Sequence, residues 1–341
     1  MKSRILACIT AMTLFAALAV PVPLTGQEQQ KDKKDHRRYA VTDLGTLGGT
    51  FGRAWGINNN GAVVGYATLA GDTALHAFLW RNGVMTDLST LAPTDTLAFS
   101  VAYSINDNDE AVGLSETSVP DPQNTCGDSL VCLPFLWRNG VITALPTLGG
   151  TDGSASAINN RGQVVGTAET GDIDPTCQIP VVKPTIWEKG EPRALPTAPF
   201  LNGLVGGGPG PAGNNEKGQV VGIAYTCDFS AVRPLIWEKN KIIDMGNIGA
   251  TPAPVSINNK VQVGGTYPDP ATGVNRAFFW ENGVATDLGT LLGDVTAEGG
   301  AINDKGQIVG QSCSTTSCSV SPTTTGSWSR PRKIWTSPIR R

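Results

Sequence analysis

Histidine is almost absent from this chain. There are 2 in 341 residues, His36 and His76, and His36 falls in a run of polar and charged side chains. A Ser–His–Asp or Cys–His centre needs an imidazole as its base. His76 is the one left to serve, and it opens an apolar strand run where a packed or strand-edge role is expected. No His-Glu-x-x-His, no phosphate-binding Gly-x-x-x-x-Gly-Lys and no Gly-x-Ser-x-Gly elbow occurs. The glycine-rich stretch 206–210 is followed by no helix signal, which argues against a phosphate cradle there.

Charge is also sparse, at 16% of residues, with a net charge of −3. That mild acidic balance leaves no basic footprint for nucleic acid. Long helical periodicity is missing beyond the N-terminus, and no apolar run after residue 20 is long enough for a membrane span. In their place stand 41 Gly and 23 Pro, a composition of short strands joined by many turns.

The one long apolar run comes first. Lys2 and Arg4 precede an uncharged stretch over 5–20, and Ala17-Leu18-Ala19 offers an A-x-A-type cleavage site. The pattern predicts a signal peptide over 1–26, cleaved after 19 or 26, and a secreted, extracellular protein, with the periplasm as the variant location. Leu6-Ala7-Cys8 looks like a lipobox but precedes the end of the apolar run, which argues against lipidation. Residues 27–38, QEQQKDKKDHRR, read as a disordered tether.

Apart from Cys8 there are six cysteines: Cys126, Cys132, Cys177, Cys227, Cys313 and Cys318. An even number in an exported chain predicts disulfides. Cys126/Cys132 and Cys313/Cys318 are each close enough to staple one loop, and Cys177 and Cys227 follow the same strand of successive repeats. Their spacings do not match zinc knuckles.

Repeats begin at Tyr39. One signature is a strand ending in Asp-Leu or a variant, at 41–44, 85–88, 142–145, 192–195, 243–245 and 285–288, often followed by Gly-Thr-Leu-Gly-Gly. A second is Ile-Asn-x-x-Gly-x-Val-Val-Gly, with its Asn at Asn58, Asn106, Asn159, Asn215, Asn258 and Asn303. It reads as a hairpin, because Asn bonds its own backbone and Gly takes positive φ at the turn exit. Asp109 and Val261 replace that Gly, and Asn214 replaces the Ile. The closing Gly (Gly65, Gly113, Gly166, Gly222, Gly265, Gly310) inside a strand predicts a bulge or a close backbone approach. The third signature, Phe-Leu-Trp-x-Asn-Gly and its variants, carries Trp80, Trp137, Trp187, Trp237, Trp280 and, worn to Lys333-Ile334-Trp335, Trp335.

The tryptophans recur about fifty residues apart, with four strands per period, the size of a propeller blade. Runs such as Ala77-Phe78-Leu79-Trp80 are apolar without alternation, so the sheets should be covered on both faces. The expectation is an all-β fold: one domain, 39–341, a six-bladed β-propeller of four-stranded blades. The blades fall at 54–88, 101–145, 155–195, 213–245, 255–288 and 300–335. The chain ends before the last blade's Asp-Leu strand, and the surplus copy lies at 41–44. That N-terminal strand is therefore expected to complete the last blade and close the ring, removing two exposed edges.

At INNNGAVVG, HAFLWRNGVMTDL and DLGTLGG the chain resembles the extracellular HAF-repeat family, over roughly residues 39–310. The resemblance implies export and a repeat architecture, and it carries no catalytic residues over to this chain.

Chemistry-bearing candidates are few. Asp43, Asp87, Asp244 and Asp287 suggest a carboxylate ring, but are read first as acceptors for nearby loop amides. The six repeat tryptophans are read as packing residues; Trp55 and Trp328 fall outside that series and are the better candidates for an exposed platform, although they too are read first as packed. Asp107-Asn108-Asp109-Glu110 and Asp172-Ile173-Asp174 could offer oxygen ligands to calcium, although neither has the EF-hand pattern; no other cofactor is expected. The connections 115–134 and 169–184, which are long, and 227–234, which is moderate, read as cysteine-bearing rim loops, where a rigid scaffold places specificity. The favoured function is therefore a non-enzymatic binding or adhesion module recognising glycan, peptide or protein through those loops. The alternative is an extracellular hydrolase or lyase with a carboxylate or metal site in the central channel, by analogy of fold alone. Carboxylates converging on the channel would support it, and a lining of Gly, Ala and Val would not.

Overall fold

The computed structural model describes residues 42–314 apart from 122, 124–125, 127–128, 198–210, 227–229, 250 and 291–293. The expected signal peptide and tether, Val41, the glycine run at 206–210, Cys227, Cys318, Trp328 and Trp335 lie outside the described residues. Contacts group the chain into Met1–Asp43 and Leu44–Arg341, and the second unit holds every strand that follows.

Five four-stranded sheets are present. The first holds β1 (Gly48–Ile57), β2 (Val63–Leu69), β3 (Leu75–Arg81) and β4 (Val84–Asp87). The second holds β5 (Ser100–Ile105), β6 (Ala111–Pro120), β7 (Leu130–Arg138) and β8 (Val141–Ala144). The third holds β9 (Gly153–Ile158), β10 (Val164–Ile173), β11 (Pro180–Glu188) and β12 (Glu191–Ala194). In the fourth are β13 (Pro211–Asn214), β14 (Val220–Tyr225), β15 (Val232–Glu238) and β16 (Lys241–Asp244). The fifth consists of β17 (Ala253–Ile257), β18 (Val263–Pro268), β19 (Asn275–Glu281) and β20 (Val284–Asp287). A two-stranded sheet, β21 (Thr296–Ile302) with β22 (Ile308–Cys313), follows. Strands pair antiparallel in chain order within each sheet. The first strands touch one another in succession from β1 to β21 and line one cavity. This is a β-propeller. Among the described residues no helix is long and apolar enough to cross a membrane.

The core lies in the seams between blades, which is why consecutive residues are apolar. Val64 and Leu88 of the first blade pack with Ile105, Ala111 and Trp137 of the second. The next three seams repeat this arrangement, the blade-ending Leu145, Leu195 and Met245 meeting Val164, Val220 and Val263 of the following blade. The repeat tryptophans among the described residues, Trp80, Trp137, Trp187, Trp237 and Trp280, are packing residues, as expected. Trp187, Trp237 and Trp280 are buried, and their Nε1 atoms donate backwards to the carbonyls of Pro146 (2.8 Å), Pro196 (3.0 Å) and Met245 (3.0 Å). Leu44 and Leu47 cover Val63, Ala67 and Phe78 on the remaining face of the first blade.

The closing glycines mark a bulge and a close approach together. Each first strand shifts register opposite its Gly, leaving Trp55, Tyr103, Ser156, Ala212 and Val255 unpaired, and Gly300-Ala301 in β21. A Cβ at Gly65, Gly113 or Gly166 would overlap the carbonyl oxygen of Arg53, Val101 or Ser154. Glycine is required because the bulged strand presses its backbone onto that point.

Two expectations need correction. Five four-stranded blades are described rather than six; the sixth repeat contributes β21 and β22 only. Its third-strand motif, at Trp335, lies outside the described residues. The second correction concerns 41–44. Residues 42–46 carry no strand, and the Trp335 segment they were expected to pair with lies outside the described residues.

Candidate functional site

Antiparallel order assigns each turn to a face of the disc. The Asn turns (β1–β2 and its equivalents) and the Asn-Gly turns (β3–β4) share one face. The β2–β3-type connections and the Asp-Leu loops share the other, the rim that carries the cysteines.

On the Asn-turn face the repeated Asn does two jobs. Its Oδ1 accepts the amides two and four residues on: for Asn159, those of Arg161 (3.1 Å) and Gln163 (3.0 Å). Its Nδ2 crosses the seam to the carbonyl of the next blade's Asn, giving Asn58→Asn106, Asn106→Asn159, Asn159→Asn215, Asn215→Asn258 and Asn258→Asn303, at 2.8–3.1 Å. The second amide hydrogen goes to Glu110, Gln163, Gln219, Gln262 or Gln307 of its own turn. The first blade has Ala62 at that position, and there Asn58 Nδ2 donates to Asp109 of the second blade at 2.9 Å. Asp109 also pairs with Arg81.

The acidic segment 107–110 is engaged by the same network, and the segment 172–174, on the other face, by its own turn. Asp107 accepts from the amide (2.9 Å) and Nδ2 (2.8 Å) of Asn59 and from Asn160 Nδ2. The Asn59 hydrogen bonds, side chain first, hold its carboxyl below the usual carboxylate value. Glu110 accepts from Asn106 and Arg138. Asp174 caps its turn by accepting the amides of Thr176 and Cys177, while Asp172 lies beside Thr170. Among the described residues no group of three or more His, Cys, Asp or Glu is placed to hold a metal ion.

The Asp-Leu carboxylates do not converge. Asp87, Asp244 and Asp287 end outermost strands and accept the amide two residues on, from Ser89, Gly246 and Gly289. His76 Nδ1 lies 2.8 Å from Asp87 Oδ2. Burial raises the Asp87 carboxyl, but the hydrogen bonds from His76 and Ser89 and the His76 charge together bring it below its ordinary value. Asp43 is exposed and precedes the first blade.

The axial channel is a cavity of about 720 Å³. Its walls are the inner strands, with Trp55 and Tyr103 on one side and Ser104, Ser154, Ser156, Ala212, Asn214 and Ser256 among the rest. The described lining holds neither carboxylate nor imidazole. Burial, with Tyr66 adding, raises the Tyr103 phenol, which keeps it protonated at neutral pH. A second cavity of about 950 Å³ opens on the rim between the fourth and fifth blades, bordered by Arg233, Asn247, Tyr267 and Asp287. Asp287 is its one lining carboxylate among the described residues.

The rim connections differ from the loops expected. In 115–134, β6 and β7 pair regularly to Glu116 and Cys132 and, after a register shift, again at Pro120 and Leu130; in 169–184, β10 and β11 pair to Glu169 and Val182 and, after a shift, again at Ile173 and Pro180. Both are projecting hairpin arms rather than open loops, because β-branched and apolar residues (Val119, Val131, Ile173, Val181, Val182) continue the strands. Cys126 and Cys132 form a disulfide that ties the second blade's turn to its own strand β7. Cys177 and Cys313 are disulfide-bonded as well. Val119, Ile173 and Ile179 are exposed on the arms.

No protein-family model matches the chain, and no curated protein matches it in sequence. Among solved structures it is similar to the β-propeller domain of the Trilobed protease from Pyrococcus furiosus, described as having an open velcro topology. Identity is 11% and the TM-score 0.43, over 84% of this chain and 94% of that one. A gluconolactonase from Xanthomonas campestris is similar at 10% identity and a TM-score of 0.39, over 79% and 86%. The Trypanosoma rangeli sialidase is similar at 10% identity and a TM-score of 0.44, over 76% of this chain and 51% of that one.

Proposed function

We propose that this chain is an exported, closed six-repeat propeller of the HAF-repeat type that acts as a non-enzymatic binding module. It engages an extracellular protein, peptide or glycan through the rim arms of its second and third blades. The observation that carries the reading is the pair of arms themselves. Each is a paired hairpin with a disulfide-bonded cysteine, and each exposes apolar side chains, Val119 on one and Ile173 and Ile179 on the other. Stiff arms with apolar tips lose little entropy on docking. A channel hydrolase or lyase has less support, because the axial lining offers hydroxyls, an amide and aromatic rings where paired carboxylates would be needed.

Closure is supported by the position of Leu44. It packs on Val63 and Ala67 as Leu145, the residue ending the second blade, packs on Val164 and Ala168. In this reading Leu44 takes the place of the residue that ends a sixth blade, without a strand over 42–46. The signal-like leader and the disulfides support export.

The test is a peptide and glycan array probed with the full chain, with and without calcium, with bound ligands then assayed for cleavage. Binding without turnover, lost on the double substitution Ile173→Asp/Ile179→Asp, is expected. Cleavage of the bound ligand, or binding unchanged in that variant, would contradict the reading.

A further inference from the structure

The axial channel is a second site, independent of the rim. The repeat places one bulged residue per blade at its wall, and bulges re-aim side chains. These positions are not filled alike. The first two blades supply Trp55 and Tyr103, whose rings meet edge to face with centroids 6.0 Å apart. The third, fourth and fifth supply Ser156, Ala212 and Val255, and β21 supplies Gly300-Ala301. A channel filled only for stability would distribute bulk around its axis. Here two aromatics stand on one side, small residues stand opposite, and about 720 Å³ stays open, within the range of small-ligand pockets.

The ring of Trp55 is held ready. The Arg53 guanidinium lies 4.0 Å from its centroid, fixing the plane from one face, yet Trp55 remains 46% exposed. The repeat tryptophans Trp187, Trp237 and Trp280 are at most 4% exposed. In the fourth blade, Asn214 replaces the repeat isoleucine. Its Nδ2 donates to the Gln163 carbonyl at 2.9 Å, and its buried Oδ1 has no protein donor. Asn214 and the hydroxyls of Ser154 and Ser156 border the same cavity.

An aromatic face on one wall, with an acceptor and hydroxyls on the others and no carboxylate in the described lining, suits a flat ligand with an apolar face and a hydroxylated edge. We propose that the channel binds a pyranose ring of a neutral saccharide, stacked on Trp55 beside Tyr103, with its hydroxyls towards the wall that Asn214, Ser154 and Ser156 border. No bond is made or broken, so the site is one of recognition.

The experiment is calorimetric titration of the full chain with a panel of neutral mono- and disaccharides, with a uronic acid as a comparison arm and thermal unfolding run on every variant. Saturable binding of at least one neutral sugar is expected. Trp55→Ala should weaken it roughly tenfold or more, and Ala212→Trp, which keeps Trp55 but fills the cavity, should abolish it. The rim variant Ile173→Asp/Ile179→Asp should leave it unchanged, which separates this site from the rim reading. No neutral sugar binding at concentrations up to about 10 mM, roughly ten times a millimolar Kd, binding of the uronic acid alone, or binding indifferent to both channel variants in folded protein would overturn the proposal.

Discussion

The side-chain amide of Asn58 donates to the main-chain carbonyl of Asn106, 48 residues on and one blade away, at 2.9 Å. The turn residue of each hairpin is therefore also the clasp to the next. Local turn chemistry and assembly of the ring depend on one side chain.

Asn159→Ala should cost about 2–4 kcal/mol in urea unfolding, since it orphans two turn amides and removes a buried cross-seam bond. A loss below about 0.5 kcal/mol, the level of an ordinary surface substitution, would mean that the clasp is incidental.

The two residues that replace the turn glycine should respond with opposite signs. Val261 has φ 64°, a strained setting for a β-branched side chain, and Val261→Gly should stabilise by roughly 0.5–1 kcal/mol. Asp109 has φ 61°, but its carboxylate receives Asn58 and pairs with Arg81. Asp109→Gly should therefore destabilise in the same chemical-denaturation assay. The same sign for both would remove the compensating role assigned to Asp109 for Ala62.

Acid should loosen the Asn-turn face. The Asp107 and Asp304 carboxyls are held low by hydrogen bonds from Asn59 and Asn259 respectively. Folded values below the unfolded one, near ~3.9, mean that their contribution is complete above that pH and is lost as pH falls through the folded values. Urea midpoints measured from pH 6 to pH 2.5 should fall below about pH 4. The fall should be shallower in Asp107→Asn, and an identical profile would count against the linkage.

Tryptophans of one chain should split into two kinds. Trp187→Ala empties a seam and should cost about 3–5 kcal/mol, while Trp55→Ala, on the channel wall, should cost less than about 1 kcal/mol. Paired melting curves make the comparison, and equal losses would make Trp55 another packing residue.

The sequence shows the scaffold where the physics is local. Asn with Gly makes a turn, Asn-Gly makes a hairpin, and a strand glycine such as Gly65 announces the bulge facing it. The tryptophans were legible as packing from their apolar neighbours, and the Asp-Leu acids as loop acceptors. What stayed hidden depends on contacts about fifty residues apart. The outward half of each Asn amide, the substitution of Asp109 for the acceptor missing at Ala62, and the channel wall shared by Trp55 and Tyr103 are of that kind. The arms stayed hidden for a different reason: their outermost pairs are Pro120 with Leu130 and Ile173 with Pro180, and proline is an unusual ladder residue.

The central claim is that the repeats close into a ring, and Asn303 tests it most directly. Among the described residues its side chain bonds only the Gln307 side chain and the amides of Lys305 and Gln307 in its own turn, and in a closed ring its Nδ2 would reach the carbonyl of Asn58. Urea unfolding of Asn303→Ala beside Asn159→Ala decides between the two states. Closure predicts losses equal to within about 1 kcal/mol. A near-neutral Asn303→Ala beside a costly Asn159→Ala would show an open array.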